Sequence, residues 1–170
     1  SFAQHQQFPS QKVDSIVKRI QLPVFASYQI NVVKLGAKGD SITNNKAAFD
    51  KAMALCKKNN GGTIVVPKGI YKINGPIHFV SNVNLKIEKG AKIKFSDNPK
   101  DYLPMVLTSW EGTMLYNYSP LIYAYDCSNI AITGEGIIDG EGGKVWKSFK
   151  AKEGAGKNLS RGMNHNATPL

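Results

Sequence analysis

From residue 61 to residue 139 the chain is a series of short segments in which apolar and polar residues alternate. Alternation with a period of two is typical of β-strands, because successive side chains point to opposite faces of the pleated backbone. Glycine and asparagine separate the segments, and no helical period lies between them. The pattern therefore predicts an all-β architecture built from many short strands.

One of these segments recurs along the chain. SNVNLKI begins at residue 81, and the similar SNIAITG begins at residue 128, 47 positions later. We interpret this interval as two turns of a coil with about 20 to 25 residues per turn, which is the scale of β-helix repeats. The recurrence predicts a solenoid in which Val83 stacks on Ile130 and Leu85 stacks on Ile132. A long insert, at about residues 96–118, should bulge from one face.

One stretch ahead of the strands has a helical period instead. Apolar residues recur at positions i, i+3, i+4 and i+7, as Phe49, Ala52, Met53 and Cys56. This spacing predicts a helix at about residues 44–58 with one apolar face. The first turn of a β-helix would otherwise expose unpaired backbone and apolar side chains to water. We therefore expect this helix to cap the first turn.

These patterns divide the chain into two parts. Residues 1–27 have no sustained period and are predicted to form an irregular lead-in with at most one short helix around Val13–Arg19, whereas residues 28–170 are predicted to form part of a β-helix domain. Cys56 and Cys127 are far apart in sequence and lack a C-x-x-C pattern, so we expect two thiols in the core and no structural metal.

Charge and glycine spacing exclude several functions. The 22 Lys and Arg against 12 Asp and Glu give a net charge of +10, which favours polyanionic partners. Nucleic acid is not expected among them, because the basic residues are nearly all scattered lysines. Gly36 and Gly39 match neither phosphate-binding glycine motif. No membrane partner is expected either, since no run of about 18 apolar residues occurs.

The chain resembles a known family over most of its length. The segments GAKGDSITNNKAAFDKAMALCKKNNGGTIVVPKGIYKINGPIHFVSNVNLKIEKGAKIKFS and SPLIYAYDCSNIAITGEGIIDGEGGKVW look like the N-terminal portion of the polygalacturonases, glycoside hydrolase family 28. The similar stretch runs from about Val32 to Trp146. The resemblance implies a right-handed parallel β-helix, incomplete at its C-terminal end, with an N-terminal capping helix.

The resemblance also implies a chemistry. Enzymes of this family hydrolyse pectin backbones with inversion, and an acid and a water-activating carboxylate stand roughly 6.5 to 9.5 Å apart. The family carries them in N-T-D and G-D-D motifs, followed by G-H-G and R-I-K, and none of these occurs here. We therefore expect no catalytic residue in this chain, which should be inactive alone as the N-terminal segment of a longer hydrolase.

The same resemblance implies the partners, cofactor needs and location of the protein. Its partner would be an acidic polysaccharide such as pectin or galacturonan, it would need no cofactor, and it would be extracellular or periplasmic. The remainder of the same polypeptide would complete the fold. Two alternatives stay open: a non-catalytic polysaccharide-binding β-helix module of the tailspike or adhesin type, and a pectate-lyase-like polysaccharide lyase, which would use calcium-binding aspartates.

Two residues of the long insert are the candidate substrate-binding residues. An exposed tryptophan stacks on sugar rings and a neighbouring charge orients hydroxyl groups, so Trp110 and Glu111 could wall a cleft. Packing of the insert against the coil is the alternative.

Other polar residues are expected to be structural. We interpret four carboxylates beside glycines or turns as surface groups, although Glu88 and Glu135 could stack as an acidic pair: Asp40, Glu88, Glu135 and Asp139. His78 should be a partly buried polar residue. Three strand lysines could form a basic track for polygalacturonate or a charged surface that prevents aggregation: Lys86, Lys92 and Lys94.

Overall fold

The computed structural model describes the backbone of residues 10–143 and the side chains from residue 13 onward. The helices are α1 (Ser10–Val17) and α2 (Lys46–Lys58), and single 3₁₀ turns lie at Val32–Leu35 and Pro99–Tyr102. The first six strands are β1 (Gln29–Asn31), β2 (Asp40–Asn44), β3 (Gly62–Val66), β4 (Gly69–Ile73), β5 (Ile77–His78) and β6 (Val83–Ile87). The other six are β7 (Ala91–Phe95), β8 (Val106–Trp110), β9 (Thr113–Asn117), β10 (Ile122–Tyr123), β11 (Ala131–Gly134) and β12 (Ile137–Asp139).

Ten of these strands form three parallel sheets that the chain visits in turn. Sheet A has the order β1-β3-β6-β11, sheet B has the order β2-β4-β7-β12, and sheet C pairs β5 with β10. Each strand pairs with the equivalent strand of the next turn, so the backbone hydrogen bonds run along the axis of the coil. This is the predicted right-handed parallel β-helix, the hand that parallel crossover connections almost always take.

The 47-residue recurrence marks one turn of the coil, so the prediction of two turns is wrong. Asn84 of β6 pairs directly with Ala131 of β11, and Leu85 pairs with Ile132 as predicted. The preceding turn carries no insert: Gly62 pairs with Val83, 21 positions later. The extra residues of the longer turn form an excursion between β7 and β10. Sequence spacing alone could not distinguish two turns without an insert from one turn that carries an insert.

The interior of the coil is a stack of aliphatic and aromatic side chains. Ile64 and Leu85 are fully buried neighbours in sheet A, and Tyr71 and Ile93 are buried neighbours in sheet B. Ile132, in the last described turn, is 44% exposed. The period-two pattern therefore places every second strand residue in a continuous core, where each turn buries the apolar side chains of the next.

Helix α2 lies at the first turn of the coil. The chain passes from β2 in sheet B through α2 to β3 in sheet A, so the helix takes the place that a sheet C strand holds in later turns. Its apolar face is buried and contacts β1, β3 and β5. The buried residues are Ala48, Phe49, Ala52, Met53 and Cys56. The helix is thus present where its period predicted it, and its role as a cap stays a prediction.

The excursion between β7 and β10 carries a hairpin that the sequence analysis missed. Strands β8 and β9 pair antiparallel, with Trp110 opposite Thr113 as the last pair. The loop between them has two residues, Glu111 and Gly112, and both have positive φ. Two-residue loops of this kind match the twist of the strands that they join. Alternating strands around Glu-Gly were the sequence signal for this hairpin.

The lead-in segment is hydrogen-bonded to the coil at Val24. The Val24 N–H donates a hydrogen bond to Asn129 Oδ1 (3.2 Å), and Asn129 Nδ2 donates one to the Val24 carbonyl (2.7 Å). A side-chain amide can pair with both polar groups of one backbone residue in this way. Asn129 therefore fixes the path of the lead-in beside the turn that precedes β11.

Candidate functional site

The two predicted substrate-binding residues lie at the tip of the β8–β9 hairpin. Trp110 is the last residue of β8 and is 58% exposed, and Glu111 follows it in the turn with φ of 47°. The indole is therefore available to a ligand and does not pack into the coil. Exposure is compatible with sugar stacking, and the binding role of both residues stays a prediction.

The base of the hairpin is held against the coil by tyrosines. The Tyr123 hydroxyl, from sheet C, donates to the Leu107 carbonyl of β8 (2.9 Å). Tyr102 is buried, and its hydroxyl donates to the Ser96 carbonyl (2.6 Å). Burial, aided by nearby carboxylates, raises the pKa of Tyr102 to about 12, so it remains a neutral donor. These bonds fix the direction in which the hairpin leaves the coil.

An aromatic row runs along the outer face of sheet C beside this hairpin. Ile77 points into the core, so its neighbour His78 points outward, in register with Tyr123 of the next turn. The ring centroids of His78 and Tyr123 are 5.2 Å apart, and those of Tyr123 and Tyr125 are 6.2 Å apart with nearly parallel planes, at 8°. The His78 ring is tilted by 56° from that of Tyr123, so the two tyrosines form the flat part of a partly exposed aromatic surface, of the kind that receives sugar rings.

Only one member of this aromatic row was predicted from the sequence. His78 was expected to be a partly buried polar residue, and no role was predicted for Tyr123 or Tyr125. The signal was present in LIYAYD, where two tyrosines occupy alternate positions, one in the strand and one just after it. Their alignment with His78 depends on the pairing of β5 with β10, which the insert of the longer turn hides in the sequence.

The surroundings of His78 favour its neutral form. Its Nε2 atom is 3.2 Å from the Ser119 hydroxyl oxygen. Partial burial, with a further contribution from the Lys46 charge, lowers the pKa of His78, and Asp50 offsets part of this effect. At neutral pH the ring therefore serves as a hydrogen-bonding aromatic surface and carries little positive charge.

A depression of about 370 Å³ lies at the end of the aromatic row, next to Tyr125. Its walls come from the C-terminal end of α2, from the turn between β5 and β6, and from the turn between β10 and β11. The polar lining residues are Lys57, Asn60, Ser81, Asn82, Tyr125 and Asp126. The depression therefore combines a cation, a carboxylate, amides, a hydroxyl and an aromatic ring.

The carboxylates singled out from the sequence lie in structural positions. Asp40 accepts hydrogen bonds from the Thr43 hydroxyl (2.6 Å) and from the Thr43 and Ile42 N–H groups, which lower the pKa of Asp40 to about 2. Asp139 accepts the Glu141 N–H and pairs with Lys92 at 3.3 Å, and both contacts lower its pKa.

The two glutamates that could have stacked are also surface groups. The Glu135 carboxylate is highly exposed and lies 3.8 Å from Lys89 Nζ. The Glu88 N–H donates to the Val66 carbonyl, and its charge adds to the burial that raises the pKa of Tyr71. Exposed pairs such as Lys89–Glu135 contribute little to stability.

The three strand lysines do not form one track. Lys86 belongs to sheet A, whereas Lys92 and Lys94 lie on sheet B. Lys92 pairs with Asp139, and Lys94 pairs with Glu141 at 3.2 Å. Each pair joins neighbouring turns, and the charges of these two lysines are already balanced. The hypothesis of a single basic track over these lysines is wrong.

Residues 10–143 contain no group of three or more His, Cys, Asp or Glu side chains that could hold a metal ion. In the same range, no helix is long and apolar enough to cross a membrane. Cys56 is buried, which raises the pKa of its thiol, and Cys127 is half-buried and also free. Trp146, which closes the segment similar to the polygalacturonases, lies outside the described residues.

The chain is similar to a protein-family model, to a curated protein and to a solved structure. Residues 29–98 match the family model described as rhamnogalacturonase A/epimerase, pectate lyase-like. An exo-poly-α-D-galacturonosidase from Dickeya chrysanthemi is 36% identical over 138 residues, which make up 76% of this chain and 22% of that protein. The crystal structure of a hyperthermoactive exopolygalacturonase from Thermotoga maritima matches with a TM-score of 0.73 at 34% identity, over 87% of this chain and 38% of that one.

A second solved structure agrees with the first. The family 28 exopolygalacturonase of Yersinia enterocolitica matches with a TM-score of 0.57 at 33% identity, over 68% of this chain and 21% of that one. The chain thus spans about a quarter of the length of the curated relatives that it matches.

Proposed function

Because the chain is related to the polygalacturonases of glycoside hydrolase family 28, we propose that it is the N-terminal segment of a pectin-degrading glycoside hydrolase. The observation that carries this proposal is the match to an exopolygalacturonase structure at 34% identity over 87% of the chain. The segment supplies the first turns of the β-helix and a surface for galacturonan. The remainder of the same polypeptide completes the fold and carries the catalytic carboxylates.

The substrate surface of this segment is the outer face of sheet C together with the β8–β9 hairpin. The Tyr123 hydroxyl joins the two by its bond to Leu107, so the hairpin rises beside the aromatic row as a wall. In this arrangement Trp110 stacks on a sugar ring and Glu111 orients its hydroxyl groups. A net charge of +10 adds a long-range attraction for polygalacturonate.

This function implies a secreted protein that acts on plant cell-wall pectin. Galacturonan is a polymer too large to enter a cell intact, so a depolymerising enzyme acts outside the cytoplasm. An extracellular or periplasmic location is therefore part of the proposal, and detection of the protein in the culture supernatant or periplasmic fraction would support it.

The proposed activity is tested on the full-length gene product with polygalacturonate as substrate. We expect new reducing ends without ultraviolet absorbance, because a hydrolase adds water and leaves no double bond. Unsaturated products would indicate a lyase instead, and binding without any cleavage would indicate a non-catalytic module. The 170-residue chain alone should release no reducing ends.

The role of the hairpin tip is tested by substitution in the same full-length protein. We expect Trp110→Ala to weaken binding of oligogalacturonates by about fivefold or more, which corresponds to the loss of one stacking contact. Met114→Ala is the matched control, because Met114 is also 58% exposed on the same hairpin but points to its opposite face. Glu111→Gln removes the charge of Glu111 but keeps the size of its side chain, so it measures the contribution of the charge alone. Equal affinity in all variants would remove the hairpin tip from the site.

A further inference from the structure

The depression beside Tyr125 is built from three separate parts of the chain. Lys57 and Asn60 come from the C-terminal end of α2, Ser81 comes from the turn before β6, and Asp126 comes from the turn before β11. Its volume of about 370 Å³ is near the lower end of the range for ligand sites, roughly 300 to 1,000 Å³. The depression is therefore large enough for a small part of a polymer and lies open to solvent.

The ring of Tyr125 joins the depression to the aromatic row. Tyr125 is 58% exposed and nearly parallel to Tyr123, whose hydroxyl is committed to the hairpin. A polymer that lies along the aromatic row would reach the depression by stacking successive sugar rings on these two tyrosines. Tyrosine suits such a surface because its broad ring loses little conformational freedom when a ligand binds.

The polar lining contains groups that are free to bind a ligand. None of the ion pairs within the described part of the chain involves Lys57, whereas Lys46, Lys89, Lys92 and Lys94 are all paired. The Ser81 hydroxyl oxygen accepts the Ser128 N–H (3.1 Å), which leaves its own hydrogen available for donation.

An ammonium group, hydroxyl donors and an aromatic face together match a sugar acid, and the Asp126 carboxylate can accept hydrogen bonds from its ring hydroxyls. The ring of a uronic acid stacks on tyrosine, and its carboxylate forms a charge-assisted hydrogen bond with lysine. A neutral sugar would leave the charge of Lys57 unused. We propose that this depression is a binding subsite for one uronate residue of an oligosaccharide, held by Tyr125 and Lys57. The identity of the polymer as galacturonan rests on the proposed function.

The experiment measures binding of trigalacturonate and of the neutral galactotriose by titration calorimetry, with the full-length protein. Lys57→Gln should weaken trigalacturonate binding about tenfold and reduce its dependence on salt, because one charge-assisted contact is lost. Galactotriose binding should not change in this variant. Tyr125→Ala should weaken binding of both sugars, and Tyr125→Phe should retain most of it because the aromatic face is preserved.

Controls separate this subsite from the rest of the surface. Lys58→Gln removes the neighbouring exposed charge, which does not line the depression, and should leave trigalacturonate affinity unchanged. Unaltered thermal unfolding shows that each variant is folded. If the parent protein binds trigalacturonate and the Lys57 and Tyr125 variants bind it equally well, the subsite is overturned while the proposed function stands. If the parent binds no galacturonate at all, both are overturned.

Discussion

Asn129 Nδ2 donates a hydrogen bond to Oδ1 of Asn82, 3.0 Å away on the preceding turn of the coil. Both asparagines have positive φ, 65° for Asn82 and 52° for Asn129, and they lie one and two residues, respectively, before a strand of sheet A. Asparagine tolerates this backbone conformation better than most residues and supplies an amide that stacks on its neighbour. The same position thus turns the chain and fixes the alignment of two turns.

The bonds between Asn129 and Val24 predict a local effect of substitution. In Asn129→Ala the Val24 N–H loses its acceptor, so we expect its hydrogen exchange to become faster while the strands of sheet A keep their protection. Mass spectrometry of peptides that cover residues 20–28 measures this change. Asn31→Ala, which removes only the local acceptor of the Val33 N–H, is the control. Unchanged exchange at Val24 would show that the lead-in is held by other contacts.

Two glycines with positive φ should respond differently to alanine. A Cβ at Gly61 would lie 2.4 Å from the Asn82 carbonyl oxygen, so the backbone of the next turn would have to move. A Cβ at Gly36 would meet no atom within 4 Å. We expect Gly36→Ala to lower the free energy of unfolding by about 1 to 2 kcal/mol, from backbone strain alone. Gly61→Ala should lower it by more than about 3 kcal/mol.

Urea unfolding of the two glycine variants measures the difference. Both substitutions add a methyl group at a positive φ, 94° at Gly36 and 118° at Gly61, so a much larger loss at Gly61 reports mainly on the steric contact between turns. Equal losses in the two variants would mean that the contact between Gly61 and Asn82 relaxes easily.

Removing the buried side-chain amide of Asn45 should cause a large loss of stability. Its side chain accepts the Lys38 N–H (2.7 Å) and donates to the carbonyls of Lys38, Thr43 and Lys72 at 2.9 to 3.2 Å. Asn45→Ala leaves these groups without partners, and we expect the free energy of unfolding to fall by about 2 to 4 kcal/mol. Asn45→Asp should be at least as damaging, because its carboxylate would face three carbonyl oxygens.

Chemical denaturation of the Asn45 variants tests this network. Asn59→Ala provides the control, since the Asn59 side chain is exposed and donates only to the Leu55 carbonyl at the helix end. A loss below about 1 kcal/mol in Asn45→Ala would show that water replaces the missing amide.

The capping role of α2 is tested at Phe49, the aromatic residue of its buried face. Phe49 is 1% exposed, and Phe49→Asp would place a charge on the buried face of α2, the helix that contacts β1, β3 and β5. We expect loss of the helix from the first turn, a drop of at least about 4 kcal/mol in the free energy of unfolding, and association through the exposed strand edges. Light scattering and thermal unfolding measure these effects. Lys51→Asp, on the exposed face, should change little, and a folded, monomeric Phe49→Asp protein would show that the helix is no cap.

Asp40 predicts a pH dependence at the acid end. Its pKa is lowered from 3.8 to about 2 in the folded chain, so the unfolded state binds more protons in this window. The contribution of Asp40 to stability is therefore complete above about pH 4 and is lost as the pH falls towards 2. Thermal unfolding of Asp40→Asn should show a shallower pH dependence between pH 2 and 4 than the parent, and Asp14→Asn is the control. Parallel profiles for Asp40→Asn and the parent would contradict this assignment.

The strands, α2 and the inward positions of the core could be predicted because each leaves a periodic pattern in the sequence. Phe49 and Leu85 are buried as the periods of 3.6 and two require. The hairpin at Glu111-Gly112 could also have been found, since its turn residues and alternating strands are local signals. The aromatic row could not have been predicted from the sequence, because His78 and Tyr123 become neighbours only when β5 pairs with β10.

By itself, the sequence determined which residues face the core, where the chain turns, and which family the chain resembles. These properties depend on the backbone over a few residues, and the pleat or the helical turn enforces them. Only the tertiary structure decided which turn stacks on which, and so brought Lys92 to Asp139 and Tyr125 to Lys57. The physical reason is that closing a longer loop costs little additional entropy, so an insert lengthens a turn without changing the register of the strands that it joins.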